Sequence, residues 1–321
     1  MLARRRAILA LQLLFVAATL AYAGLYLARQ WSEAEPHARL ADLRVAPIVL
    51  ATLIVFATYA LLVQLWRVVL VRWNARLSFV DAARIWSISN LGRFVPGRVA
   101  QIGAMAYLSR ERGVSAVAAT GSALLNTLVN IAAGVAIALA TGGRMLDEYR
   151  EGTSGIAAAL VVAACAGLVA LPWLLPRAVR LAARLFRREL PTPPGMPPSA
   201  VWLTAAGNVV AWLLYGLAFR LFTAGVLGGA AGALSLYIAV YTGSYIVGYL
   251  AFFTPGGLVA REAALVAFMT ALGMATLPQA TLVAVASRLW LTVLEVVPGL
   301  LFLAHGTLRR RTPINPGDAP T

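Results

Sequence analysis

Four charged residues stand in or beside apolar sequence: Arg261, Glu262, Arg288 and Glu295. Arg261 and Glu262 follow the helix-breaking Pro255-Gly256-Gly257 in "FFTPGGLVAREAALVAF", residues 252–268. A charge at the centre of a membrane helix costs about 2.5–3.5 kcal/mol, so four of them must pair, face water, or both. The break opens a helix whose N-terminus favours anions. Backbone donors at Gly256 and Gly257, with Arg261 beside them, form a seat suited to a phosphate. Arg288, Thr292 and Glu295 follow i, i+4, i+7 and share one helix face. Glu262 and Glu295 are candidate proton carriers, because burial raises a carboxyl pKa. The plainer reading is that these charges are ion pairs that pin a hairpin to the last helix.

A milder set stands in the first half: Arg93 and Arg98 around Pro96-Gly97, then Gln101, Asn126 and Asn130. Arg93 and Arg98 suit a phosphate or simple snorkelling to the interface. Asn126 and Asn130, an i, i+4 pair, suit a polar path or interhelical hydrogen bonds. Asn208 and Tyr215 on another apolar segment could line a cavity.

Other chemistry finds little support. No Walker loop, GxSxG or HExxH occurs. Cys165 is the only cysteine, and His37 and His305 lack the spacing of metal ligands. No cofactor or metal is expected. A membrane transferase would need an acidic cluster, and the mid-chain one, Asp147, Glu148 and Glu151, falls in a predicted outer loop. The expectation is therefore no enzyme. The formal charge is +15 and all 27 basic residues are Arg. They cluster at helix ends, and no basic, aromatic-rich soluble segment accompanies them, so nucleic acid is not an expected partner.

The elements that must hold these residues are membrane helices. The 321 residues are 61% hydrophobic and only 12% charged, and the mean hydropathy is +0.80. Spans are predicted near 7–28, 45–71, 114–141, 156–175, 200–226 and 279–304. The first has an Ala21-Tyr22-Ala23 that resembles a signal cleavage site, but its apolar run continues to Leu27, favouring an uncleaved helix. Two further apolar regions, 79–110 and 235–274, are each broken at a Pro-Gly. Lipid cannot satisfy the freed backbone groups, so each break should be buried or face water. Serines at the head of each region, Ser78 and Ser235, are predicted helix starts. Trp31, Trp66, Trp73 and Trp86 fit an interfacial belt.

The halves look related. Phe94-Val95-Pro96-Gly97 matches Phe253-Thr254-Pro255-Gly256, and Ser122, Asn130 and Gly134 align with Ser287, Glu295 and Gly299. Three full spans per half invert the second half relative to the first. The prediction is an all-α polytopic membrane protein of two inverted repeats, each with three spanning helices and one Pro-Gly-broken re-entrant hairpin. Residues 1–150 form the first repeat and 151–308 the second, with a disordered tail at 309–321. The arginine distribution places both termini and the Pro-rich loop 189–199 in the cytoplasm. Arg-only basic usage and abundant Ala suggest a bacterium, hence its inner membrane.

Three stretches carry a family resemblance: "NLGRFVPGR" at 90–98, "YLSRERGVS" at 107–115 and "TPGGLVAREAAL" at 254–265. With them the chain resembles, over nearly its whole length, the transmembrane region of lysylphosphatidylglycerol synthases and their stand-alone flippase-like relatives. The family's Pro-Gly-Gly and Glu map to Pro255, Gly256, Gly257 and Glu262, and its Pro-Gly-basic motif to Pro96, Gly97 and Arg98. Val259 departs where a second glycine is common, and Gln101 near where many members carry Glu. No segment is long enough for the synthase domain, so no aminoacyl transfer is expected. The resemblance implies translocation of membrane lipids, or an accessory role beside a lipid- or glycan-modifying enzyme.

Overall fold

The computed structural model describes residues 43–94, 99–149, 153–185, 198–251 and 259–309. The predicted first span, Pro96, Gly97, Arg98, Pro255, Gly256, Gly257, residues 189–197 of the predicted loop 189–199 and the tail beyond 309 lie outside the described residues; Pro198 and Ser199 of that loop are already helical. Among the described residues all regular structure is helical: α1 Val45–Arg72, α2 Phe79–Asn90, a 3-10 turn Leu91–Phe94, α3 Val99–Arg110, α4 Ala116–Tyr149, α5 Thr153–Leu185, α6 Pro198–Leu227, α7 Leu234–Leu250, α8 Ala260–Ala271 and α9 Leu277–Arg309. The chain is thus an all-helical, multi-pass membrane protein.

Among the described residues, four helices are long and apolar enough to cross a membrane: Val45–Arg72, Ala116–Gly142, Pro198–Leu227 and Leu277–His305. The 28 residues of α1 extend ~42 Å at 1.5 Å per residue, ample for a hydrocarbon core of ~30 Å. Two apolar stretches are shorter, Ala157–Gly167 within α5 and α7 itself. The 12-residue helices α2, α3 and α8 are only ~18 Å long. They cannot cross alone.

Local chemistry sets the ends of the first short pair. Ser78 caps α2, its hydroxyl accepting the Asp81 N–H at 3.0 Å and donating to the Asp81 carboxylate at 2.8 Å. Asp81 also takes Arg112 at 2.8 Å, which ties the start of α2 to the loop after α3. The predicted serine start of the other pair differs. Ala233 is the cap residue of α7 and gives no side-chain bond. Ser235 lies in the first turn instead, because α7 begins one residue before it.

The helices interlock across the two halves. α1 packs along α6, α2 packs against α9, and α7 packs against α4. Each short pair thereby meets the last long helix of the opposite half. Two glycines make these approaches possible. A Cβ on Gly299 of α9 would sit 2.9 Å from the Ser87 carbonyl of α2. A Cβ on Gly134 of α4 would sit 3.0 Å from Ile246 of α7. Ser87 and Ile246 stand at equal distances before the matched Phe94 and Phe253. Small residues let membrane helices close on one another where larger ones would hold them apart.

The main core lies where α1, α6, α7, α8 and α9 meet, around Trp212, Phe219, Tyr237, Tyr241 and Met269. A second core, around Trp66, Leu70, Ile85, Met105 and Val114, seats α2 and α3. Trp66 is thus interior, not part of a belt. It is 2% exposed, and its indole N–H donates to Ser122 at 2.9 Å, so no interfacial water is needed. Trp86 also turns inward, its ring tilted against Tyr59 with centres 5.2 Å apart.

Candidate functional site

The 3-10 turn after α2 aims Arg93 at α9. Its Nη1 lies 2.6 Å from the Glu295 carboxylate, with the two side chains 13% and 15% exposed. Its Nη2 donates to the Tyr245 hydroxyl of α7 at 3.1 Å. Arg93 therefore does not snorkel: it is a cross-half ion pair, held by charge-assisted hydrogen bonds. Glu295 and Arg288 lie on the same face of α9, as their spacing predicts. Arg288 stands 3.8 Å from Glu262 of α8. The Thr292 hydroxyl between them donates to the Arg288 carbonyl at 2.7 Å.

Arg261 occupies the first turn of α8 and is 5% exposed. Its guanidinium carbon lies 5.5 Å from the ring centres of both Tyr241 and Tyr245. Such contacts contribute roughly 0.5–2 kcal/mol each. Gly248 of α7 makes room, since a Cβ there would come within 2.7 Å of the Arg261 Cβ. Among the described residues, Arg261 Nε and Nη2 have no hydrogen-bond partner. The start of α8 is closed by Glu262, whose Oε2 accepts the Val259 N–H at 2.9 Å. Val259 has φ 74° and ψ −51°, a region that favours glycine.

The first-half amides form a neutral counterpart. Asn208 of α6 is fully buried. It accepts from Asn130 Nδ2 at 2.7 Å and donates to Asn126 Oδ1 at 3.3 Å. Its remaining N–H goes to the Thr204 carbonyl at 2.8 Å. Gln101 of α3 donates to Asn90 of α2 at 2.8 Å, binding the two arms near their turn.

These groups surround a cavity of about 130 Å³. Its wall joins Arg93, Glu295, Asn90, Gln101, Asn126 and Asn130 to the aromatic rings of Tyr59, Trp86, Trp212, Tyr215, Tyr245 and Tyr249. The structure thus brings Arg93, Asn126, Asn130 and Glu295 to one space. Arg261, Glu262 and Arg288 stand behind it, with Tyr245 between Arg261 and the cavity. Among the described residues, three arginines and two glutamates give the cluster a formal excess of one positive charge.

Sequence reasoning missed most of the aromatic wall. Tyr237, Tyr241, Tyr245 and Tyr249 recur every fourth residue along α7, a spacing that puts them on one face. That signal was available from the sequence. Tyr59 and Trp86 carry no comparable pattern.

The arrangement can hold an anion against Arg93, exclude bulk water with rings, and offer amide donors to esters or hydroxyls. No curated protein matches the sequence. A family model does match, across residues 9–299, and the chain belongs to that family, described as the lysylphosphatidylglycerol synthase TM region.

Proposed function

We propose that the protein translocates an anionic or phosphate-bearing lipid across a bacterial inner membrane. One observation carries this reading: a buried cluster with one excess positive charge beside a polar, ring-lined cavity. A buried net charge is costly unless a counter-charge visits it. A phosphate about 4 Å from one guanidinium gains about 4 kcal/mol at an effective dielectric of 20. That gain helps offset the loss of water around the headgroup. In this reading the phosphate replaces Glu295 as the partner of Arg93. Arg261 supplies long-range positive potential through the tyrosine wall.

The two short pairs act as re-entrant hairpins in two inverted repeats, with three spans in each half. The reciprocal contacts of α2 with α9 and of α7 with α4 support this arrangement, as does the shortness of α2, α3 and α8. Rocking of the halves would expose the cavity to each side in turn.

The test is transbilayer movement in liposomes of phosphatidylglycerol, phosphatidylcholine and a polyprenyl phosphate, with Arg261→Ala alongside. Movement of an anionic lipid, slowed tenfold or more in folded Arg261→Ala, is expected. Equal movement in the variant would remove Arg261 from the mechanism. No movement of any lipid by folded protein would sink the translocase reading.

One observation favours a second reading, a non-transporting accessory of a lipid- or glycan-modifying enzyme. Both ion pairs end on α9, so the charges could serve only to pin the hairpins. A stable enzyme partner that co-purifies, with no lipid movement, would support it.

A further inference from the structure

The cavity at Arg93 has a neighbour. A second compartment of about 140 Å³ lies against it, bounded by Trp66, Ile102, Met105, Thr120, Ala123 and Leu124. The two share Trp86, Gln101, Asn126, Thr127 and Tyr249 as a common wall. Their chemistry differs. The inner one holds the ion pair and most of the amides, whereas the outer one is chiefly apolar. The wall between them sets the amides of Gln101 and Asn126 and the Thr127 hydroxyl beside the Trp86 and Tyr249 rings.

The outer compartment also reaches the surface. Ile102 of α3 is 43% exposed and Leu124 of α4 is 52% exposed. Around them the surface of α4 continues with Val117 and Leu128, both apolar and exposed. On a spanning helix such a surface faces hydrocarbon, so the gap between α3 and α4 opens sideways into the bilayer.

From outside to inside, then, the order is hydrocarbon, apolar pocket, amide wall, cation. A phospholipid has the same order: acyl chain, ester carbonyls, phosphate. Asn126 receives its bond from Asn208 on the carbonyl oxygen, which leaves its N–H donors for the cavity. Size sets a limit. An apolar cavity of about 150 Å³ holds one benzene, so the outer compartment takes only about six carbons. The rest of the chain must stay in the bilayer, which the open flank at Ile102 and Leu124 permits.

We propose that the gap between α3 and α4 is a lateral portal, in which the ester and first methylenes of one phospholipid chain dock while its phosphate reaches Arg93. This rests on the reading that the inner cavity takes a lipid headgroup. It adds the route and the orientation, and it requires an attached chain.

The test uses single cysteines in a Cys165→Ser background, the native cysteine being exposed. Ala123→Cys lines the outer compartment alone, and Leu128→Cys lies on the same helix but lines neither. In detergent, N-ethylmaleimide labelling of each is timed with phosphatidylglycerol, and with glycerophosphoglycerol, its deacylated headgroup. The expected result is at least fivefold slower labelling of Ala123→Cys with the lipid only, and no change at Leu128→Cys. As a second variant, Ala123→Trp should weaken phosphatidylglycerol binding tenfold or more, whereas Leu128→Trp should not. Unprotected Ala123→Cys in protein that still binds the lipid overturns the portal and leaves the headgroup reading intact. Equal protection by glycerophosphoglycerol overturns the need for a chain. A wild-type protein that binds no phosphatidylglycerol overturns both readings.

Discussion

The two short-helix regions, α2 with α3 and α7 with α8, are furnished differently. In the first, the arms α2 and α3 meet through amides, Asn90 with Gln101. The long helix that follows carries Asn126 and Asn130, bonded to Asn208. In the second, α8 carries Arg261 and Glu262, and the long helix that follows carries Arg288 and Glu295. Position for position, Asn130 corresponds to Glu295. Amides placed together satisfy one another without a net charge to bury. Charges cost about 2.5–3.5 kcal/mol each in the membrane interior and are tolerable only with partners. The second region thus carries the energetic risk, and among the described residues Arg93 is the one cation that the first region lends to it. Disruption should therefore cost most at the charged contacts and least at backbone details.

Glu295→Gln should give the largest loss. It leaves Arg93 buried beside a neutral amide, and breaking a buried pair from one side costs about 3–5 kcal/mol. Thermal unfolding in detergent is the measurement. The reversed pair, Arg93→Glu with Glu295→Arg, should regain part of the loss if the contact itself matters. A loss no larger than that of an amide variant would contradict the contrast between the two regions.

Glu262→Gln should come next. It weakens a 3.8 Å ion pair while keeping an oxygen for the Val259 N–H. A loss of about 1–3 kcal/mol is expected, the usual range when a buried polar partner is removed. Asn208→Ala should cost less, because polar contacts between membrane helices average about 0.6 kcal/mol and reach about 1.7. Unfolding midpoints of the two variants, measured together, rank the charged and neutral networks directly.

The sequence carried the helices and the charged positions well, and their partners poorly. Predicted spans at 45–71, 200–226 and 279–304 fall within a few residues of α1, α6 and α9, because apolar length is local information. The i, i+7 relation of Arg288 and Glu295 was equally local. The Arg93–Glu295 contact joins residues 202 apart. It depends on how α2 crosses α9, which periodicity does not encode. The aromatic wall was half legible, since the tyrosines of α7 repeat every fourth residue while Tyr59 and Trp86 arrive by tertiary packing. Trp66 misled for a related reason. An indole near a helix end suits an interface, and only the partner Ser122 on a distant helix makes it interior.

The smallest effect should come from Val259→Gly, and its sign is the informative part. Val259 sits at the head of α8 with φ 74°, and its side chain is mostly exposed, so little packing is lost. A β-branched residue in such a conformation costs of order 1–3 kcal/mol. Glycine relieves that strain but loosens the unfolded chain, which takes back about 0.4–1 kcal/mol. A net gain of about 1 kcal/mol in unfolding stability is expected. Asn208→Ala, in the neutral network, has no strain to relieve and should only lose. If Val259→Gly gains stability but slows lipid movement, the strain belongs to the motion of the second short-helix region. If it gains stability and leaves movement unchanged, the strained valine is a local cost of closing α8 on Glu262.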